Sequence, residues 1–167
     1  DTLFFKDLPK VASTYAIPNN LKIKRYGFHG FSHGYIASKF KGNIISCHLG
    51  NGSSVTAIKN GKPLDTSMGF TPLEGIIMGT RPGSIDPGII LRLFKIHKNY
   101  KKVEDILYNK SGLLALSKQS NDMRILKKSK QGKFAIECLK YSLIKQIGAY
   151  KAVLGDVDTI VFTGEIS

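Results

Sequence analysis

The sequence predicts an α/β domain that opens on short antiparallel strands, runs through several helices and closes on a further strand. Three observations predict it. Asn43 to Cys47 is short, apolar and β-branched. Beyond a glycine turn, Val55, Ala57 and Lys59 alternate with Thr56 and Ile58. Near the C-terminal end, Ile136, Leu139, Leu143, Ile147, Tyr150 and Leu154 recur at helical spacing.

Taken in order, Asp1 to Asn20 reads as a connector with one short helical stretch, closed by Pro18-Asn19-Asn20. Ser32 is placed to cap a helix from about His33 to Phe40, with Tyr35, Ile36 and Phe40 on one face and Gly42-Asn43 as its stop. Ile44 to Thr66 supplies three short strands in hairpin order, and Asn60-Gly61 is the dipeptide that closes a hairpin at positive φ. Ser67 to Ser84 is a loop rich in Gly, Thr and Pro, and a loop that long inside a compact domain usually has a function. Asp86-Pro87 starts a helix, a capping carboxylate followed by proline at the first helical position. Ile89, Ile90, Leu93, Phe94 and His97 would trace its buried face, which makes His97 structural. A short helix spans Val103 to Asn109 and stops at Ser111-Gly112, and another begins near Ser120-Asn121-Asp122. The longest runs from about Lys133 to Leu154 and ends at Gly155, with Lys133, Glu137, Lys140, Lys145 and Lys151 mostly outside its apolar stripe. Thr159 to Phe162 reads as a buried strand. No internal repeat or low-complexity segment interrupts this order.

The 167 residues suffice for one domain with a real core, and 42% hydrophobic with 22% charged residues are ordinary globular values. No apolar run is long enough to span a bilayer and no signal-peptide pattern is visible, so a cytoplasmic, membrane-free protein is expected. Cys47 and Cys138 lack a metal-binding spacing and read as free thiols. The formal charge of +13 raises nucleic-acid binding. However, the lysines are scattered, with denser groups only at Lys98 to Lys102 and Lys127 to Lys133, and no nucleic-acid motif accompanies them. A solvated lysine-rich surface that attracts anionic substrates is the better reading.

The most informative stretch is Cys47-His48-Leu49-Gly50-Asn51-Gly52-Ser53-Ser54. Gly50 and Gly52 let backbone approach a ligand with no Cβ in the way, and Asn51, Ser53 and Ser54 add side-chain donors suited to phosphate oxygens. On spacing alone the turn reads equally well as an ordinary hairpin. Four motifs change that balance. They are Arg25-Tyr26-Gly27-Phe28-His29-Gly30 with Ser32-His33, the His48 to Gly52 turn, Asp65 to Gly75, and Met78-Gly79-Thr80-Arg81. In this order and spacing they closely resemble the acetate kinase family, and the likeness runs from Asp1-Thr2 to Val161-Phe162-Thr163-Gly164.

The resemblance implies an RNase H-like, actin-like ATPase domain with an antiparallel-plus-parallel sheet and flanking helices, incomplete in this chain. Residues 1–30 would be the connector from a preceding N-terminal domain, and residues 31–167 a truncated C-terminal catalytic and nucleotide-binding domain. It implies phosphoryl transfer between ATP and acetate, with acetyl phosphate and ADP as products, Mg2+ as cofactor and a homodimer in the full-length protein. Such chemistry brings two anions together, so positioning and positive charge supply most of the catalysis. Arg81 offers a planar fork of donors for the oxygens in flight, and His29 a hydrogen bond to the same group. The resemblance places both at the transferring phosphoryl group and Asn51 in the phosphate loop with His48, Leu49, Gly50 and Gly52. Asp1 matches an aspartate that aligns substrate or binds the magnesium shell. Phe28 and Pro72 match apolar contacts for the acyl methyl group. Asp122-Met123-Arg124 matches the segment beside ribose and adenine, although Asp122 reads equally as a helix cap, and Gly164 aligns with a glycine turning under the adenosine. Without the motif a lone arginine, aspartate or histidine is usually a solvated or satisfied structural group, and His33 and His48 stay open between support and site.

Several positions depart from the pattern. Glu165 and Ser167 stand where the family has glycine, Phe31 replaces a threonine, and Pro82 and Ser84 replace small and acidic residues. The family's N-terminal Asn and Ser phosphate motif, its acetate-binding arginine and a late magnesium glutamate have no counterpart in this chain. Two alternatives follow: a propionate or other short-chain acyl kinase, and a non-catalytic nucleotide-binding remnant of a split or decayed gene.

Overall fold

The computed structural model describes residues 1–166, apart from the Asn19 side chain; Ser167, one of the noted departures, lies outside the described residues. Four strands form one sheet: β1 (Asn43–Leu49), β2 (Ser53–Lys59), β3 (Lys62–Thr66) and β4 (Thr159–Thr163). Their order is β3-β2-β1-β4, with β1 antiparallel to β2, β2 antiparallel to β3, and β4 parallel to β1. The helices are α1 (Lys10–Ser13), α2 (Gly30–Lys39), α3 (Pro87–His97), α4 (Tyr100–Asn109), α5 (Gly112–Ser117), α6 (Met123–Leu126) and α7 (Lys130–Leu154). The antiparallel-plus-parallel sheet with flanking helices is the expected class, and the long crossover into β4 is what a parallel pair requires.

Period-two alternation divides the sheet into two unlike faces. Ile45, Cys47 and Leu49 of β1, with Val55 and Ala57 of β2, join Tyr150 and Leu154 of α7 in the main apolar cluster. On the opposite face Ile44 and Ile58 pack with Ile36 of α2. Further along that face the apolar residues give way to Ser46, Ser54 and Thr56, all fully buried. A buried hydroxyl requires a partner, so this polar end of the sheet is where the site is assembled. The Asn60-Gly61 turn has the positive φ that its sequence requires at both residues, 50° and 79°.

The expected helices hold with several corrections. Ser32 caps nothing: α2 starts two residues earlier, at Gly30, and its hydroxyl turns inward toward His48. The Asp1 carboxylate performs the capping from a distance, accepting from the Gly30 and Phe31 amides. α2 also stops at Lys39, before Gly42-Asn43. The proposed buried face of α3 is only half-buried at Ile90, Leu93, Phe94 and His97, and Ile89 is exposed. Its cap, Asp86 accepting from Gly88, is as expected. Ser111-Gly112 reads as a stop in the sequence, yet Gly112 at φ +62° begins a new helix, α5. Among the described residues β4 is an edge strand, and its Ile160 and Phe162 are about half exposed because they lie outside the cluster that α7 covers on β1 and β2.

The long loop between β3 and α3 is packed, with Met68, Ile76 and Met78 buried. Arg25 holds it through bonds from Nη1 to the carbonyls of Thr66 and Met68, both 3.1 Å, and from Nη2 to Glu74, 2.8 Å. Tyr15 donates to the other oxygen of Glu74. Burial and that bond push the Tyr15 hydroxyl up to about 12, which keeps its proton in place.

Candidate active site

The turn between β1 and β2 brings three loops together. The reason can be read at Gly52, where a Cβ would lie 2.7 Å from Nη2 of Arg81 and 3.3 Å from Nε2 of His29. Guanidinium and imidazole therefore face one spot that glycine alone leaves open. Arg81 reaches it from the packed loop, its other arm donating to the Pro72 carbonyl at 2.9 Å. His29 arrives from just before α2 in a left-handed conformation, φ 60° and ψ 36°. That backbone is costly for a side chain bearing a Cβ, by about 1–3 kcal/mol, and such strain collects at functional sites.

Behind His29 lies a chain of buried polar contacts. His29 Nδ1 meets Ser54 Oγ at 2.9 Å, the same oxygen meets His33 Nε2 at 2.7 Å, and His33 Nδ1 meets Ser46 Oγ at 2.8 Å. His48 stacks on His29 with ring centroids 4.3 Å apart, and its Nδ1 meets Ser32 Oγ at 3.0 Å. Burial, then the neighbouring His48 ring and Arg81 guanidinium, pull the His29 imidazole from an ordinary 6.5 down to about 4. Burial pulls His33 down to about 3 and lowers His48 as well. The imidazoles of His29 and His33 are therefore neutral near pH 7, while Arg81 remains the cation.

Next to this spot a cleft of about 470 Å³ is lined by Asn51, Asn121, Asp122, Met123, Arg124, Glu165 and Ile166. Asn51 is fixed there, its carbonyl accepting from the Gly79 amide at 3.0 Å and its Oδ1 from Asn121 at 2.8 Å. A Cβ on Gly79 would fall 2.0 Å from that Oδ1, which explains the glycine before Thr80-Arg81. Asp122 caps α6 through the Arg124 amide and also grips the Arg124 side chain, so the helix-cap reading holds for a residue that also lines the cleft. Those bonds hold its carboxyl down at about 2. Gly164, at φ +96°, passes so close to β1 that a Cβ would meet the Leu49 carbonyl at 2.3 Å.

The sequence-predicted residues thus divide. His29, Arg81, Asn51 and Gly52 converge, and Asp122, Met123 and Arg124 share the cleft with Asn51. Gly50 shapes the turn, its amide bonded to the Gly52 carbonyl. Asp1 lies beside His29 but spends its carboxylate on the α2 amides. Phe28 is half-buried next to His29, and Pro72 is tied to Arg81 through its carbonyl. Three expectations are corrected. The Leu49 side chain lies in the apolar core on the α7 face, leaving only its backbone near the cleft. Ser53 and Ser54 do not face a phosphate, since Ser53 donates to Gly50 and Ser54 joins His29 to His33. Ser46 and Asn121 went unrecognised; a serine inside the apolar run Ile44 to Cys47 was the available signal for the first.

Fold and site define an α/β domain with a cationic, sterically open corner beside a cleft, at one end of a mixed sheet. The model of the acetokinase family matches residues 1–167, and the chain belongs to that family. It is 48% identical over 182 residues to the acetate kinase of Brachyspira hyodysenteriae and 46% identical over 185 residues to that of Dictyoglomus thermophilum, covering 99% of this chain and 46% of each relative. Among solved structures, the acetate kinase of Porphyromonas gingivalis superposes with a TM-score of 0.94 at 38% identity, covering 99% of this chain and 46% of that one. A propionate kinase from Francisella tularensis gives 0.93 at 37%, covering 99% and 47%. The chain spans about half the length of the curated relatives it matches.

Proposed function

We propose that the protein transfers a phosphoryl group between ATP and acetate, forming acetyl phosphate and ADP. The observation carrying this reading is the convergence of Arg81 Nη2 and His29 Nε2 on the open face of Gly52. A phosphoryl group seated there meets a cation and a neutral hydrogen-bond donor with no side chain intervening. Two preorganised donors suit the equatorial oxygens of a transferring group, where little covalent work is asked of the protein. Asn51 orients the γ-phosphate, while Asp122, Met123 and Arg124 line the cleft that takes the nucleoside.

Magnesium fits as a partner of the nucleotide. Among the described residues no group of three or more His, Cys, Asp or Glu is arranged to hold a metal. Mg2+ is commonly held by one or two carboxylates together with substrate phosphates, and Asp1 would serve with the lone pairs left over from the Gly30 and Phe31 amides. The ion neutralises phosphate charge. Phe28 and Pro72 stand near the acyl methyl group.

The ATP that this reading requires is supplied in the cytoplasm, which is the compartment it favours, and the exposed Phe134, Tyr141 and Ile144 of α7 favour a homodimer, which sedimentation of the full-length protein tests. No helix among the described residues is long and apolar enough to cross a membrane.

Hydroxamate trapping of acetyl phosphate from the full-length protein tests the main reading. Arg81→Ala is expected to lower kcat by about a hundredfold or more; an unchanged rate removes the role assigned to Arg81. The likeness to a propionate kinase makes propionate the competing acceptor. One methylene is worth about 1–3 kcal/mol, so parallel kcat/KM values separate the two acids. Glu165 in the cleft favours a second reading, nucleotide binding without turnover. Calorimetric Mg-ATP binding without any trapped product would establish that reading.

A further inference from the structure

We propose that Ser46, His33 and Ser54 form a one-way hydrogen-bonded relay that fixes His29 in the tautomer bearing its proton on Nε2, the nitrogen beside Arg81. This deepens the reading above and rests on it for its catalytic meaning, since the proton so placed is the one offered to a phosphoryl oxygen.

The argument is one of counting protons. Ser46, His33 and Ser54 are all fully buried, at 0% exposure, so none has recourse to water. The Ser46 hydroxyl has a single partner among the described residues, His33 Nδ1 at 2.8 Å. A buried hydroxyl proton without an acceptor is left desolvated and unpaired, so Ser46 donates and His33 Nδ1 accepts. A neutral imidazole carries one proton, which must then be on His33 Nε2, and it goes to Ser54 Oγ at 2.7 Å. Ser54 has accepted, so its own proton is directed to His29 Nδ1 at 2.9 Å. His29 then holds its proton on Nε2, facing the open side of Gly52.

The reverse order leaves the Ser46 proton with no acceptor. It also turns a lone pair of His29 toward the place where phosphate oxygens would sit, and two acceptors repel. Burial keeps His29 and His33 neutral, and neutrality makes the order unique, because a doubly protonated ring would donate at both ends. Sheet geometry explains how the relay was built. Ser46 and Ser54 are on adjacent strands and on the same face, and α2 lays His33 between their hydroxyls. Ser46, His33 and Ser54 are positioning residues; His29 touches the substrate.

Two measurements test the relay. In the full-length protein labelled with ¹⁵N histidine, proton–nitrogen correlation reads the tautomer of each ring. The expected result is a proton on Nε2 of both His29 and His33; a proton on Nδ1 of either ring overturns the relay, whatever the activity. The second compares Ser54→Ala with the unaltered protein. His29 is expected to become a mixture of tautomers and kcat to fall by about tenfold or more, with KM for ATP within about twofold, because Ser54 does not line the nucleotide cleft. A single unaltered His29 tautomer in that variant also overturns it. Should the unaltered protein form no acetyl phosphate, the kinase reading fails while the ¹⁵N spectrum still decides the proton order.

Discussion

Gly52 shows how much one missing Cβ can decide. Its backbone is free of the left-handed strain seen at Gly61 or Gly164, so alanine is locally tolerable there. What alanine would not leave is room: its methyl carbon would sit 2.7 Å from Arg81 and 3.3 Å from His29. Gly52→Ala is therefore expected to cost about a hundredfold or more in kcat/KM while the thermal midpoint moves by no more than about 4 °C. A large loss of stability with activity preserved would contradict that assignment. The glycine was legible in the sequence as a phosphate-loop candidate; that its role is to admit two side chains from other loops was not. Ser54 makes the complementary case. A serine after a glycine turn reads as a phosphate donor, yet the pleat points it into the sheet and toward His33.

The loop from Ser67 to Ser84 is the element on which the site depends most, because it carries Arg81. Its length and its glycines suggest mobility, but its carbonyls are held by Arg25 and its carboxylate by both Arg25 and Tyr15. The Arg25 side chain is only 15% exposed, so removing its partner strands a largely buried charge. Glu74→Gln is expected to destabilise the protein by about 1–3 kcal/mol, read as a lowered midpoint in chemical denaturation, and to reduce kcat through displacement of Arg81. An unchanged midpoint would mean that the backbone turns hold the loop unaided. α2 illustrates a different limit on prediction. Ser32 suits a helix cap by local pattern, but the carboxylate that satisfies the helix start comes from Asp1, far away in sequence. Local pattern cannot reveal a cap delivered by tertiary packing.

Across the whole molecule, the buried imidazoles couple folding to pH. His29 and His33 titrate near 4 and 3 when folded and near 6.5 when unfolded. Between these limits the unfolded chain binds more protons, so stability rises with pH through that window and levels off above about 6.5. Denaturation midpoints are expected to be flat from pH 7 to 8 with respect to these groups and to fall steadily from pH 6.5 to 4.5. The total contribution of the fully buried His33 is on the order of a few kcal/mol. His33→Gln should flatten the slope, and a slope unchanged by that substitution would assign the loss to other groups. The fold class, the hairpin at Asn60-Gly61, the inner stripe of α7 and the expectation that His29, Asn51 and Arg81 lie near one another were legible in the residues alone. Each of these follows from periodicity, turn chemistry or ordered motifs, which are local and survive in one dimension. Tertiary packing settled which face each strand serine takes, that Leu49 belongs to the core, and that Ser54 joins His29 to His33. Those outcomes depend on contacts between residues distant in sequence.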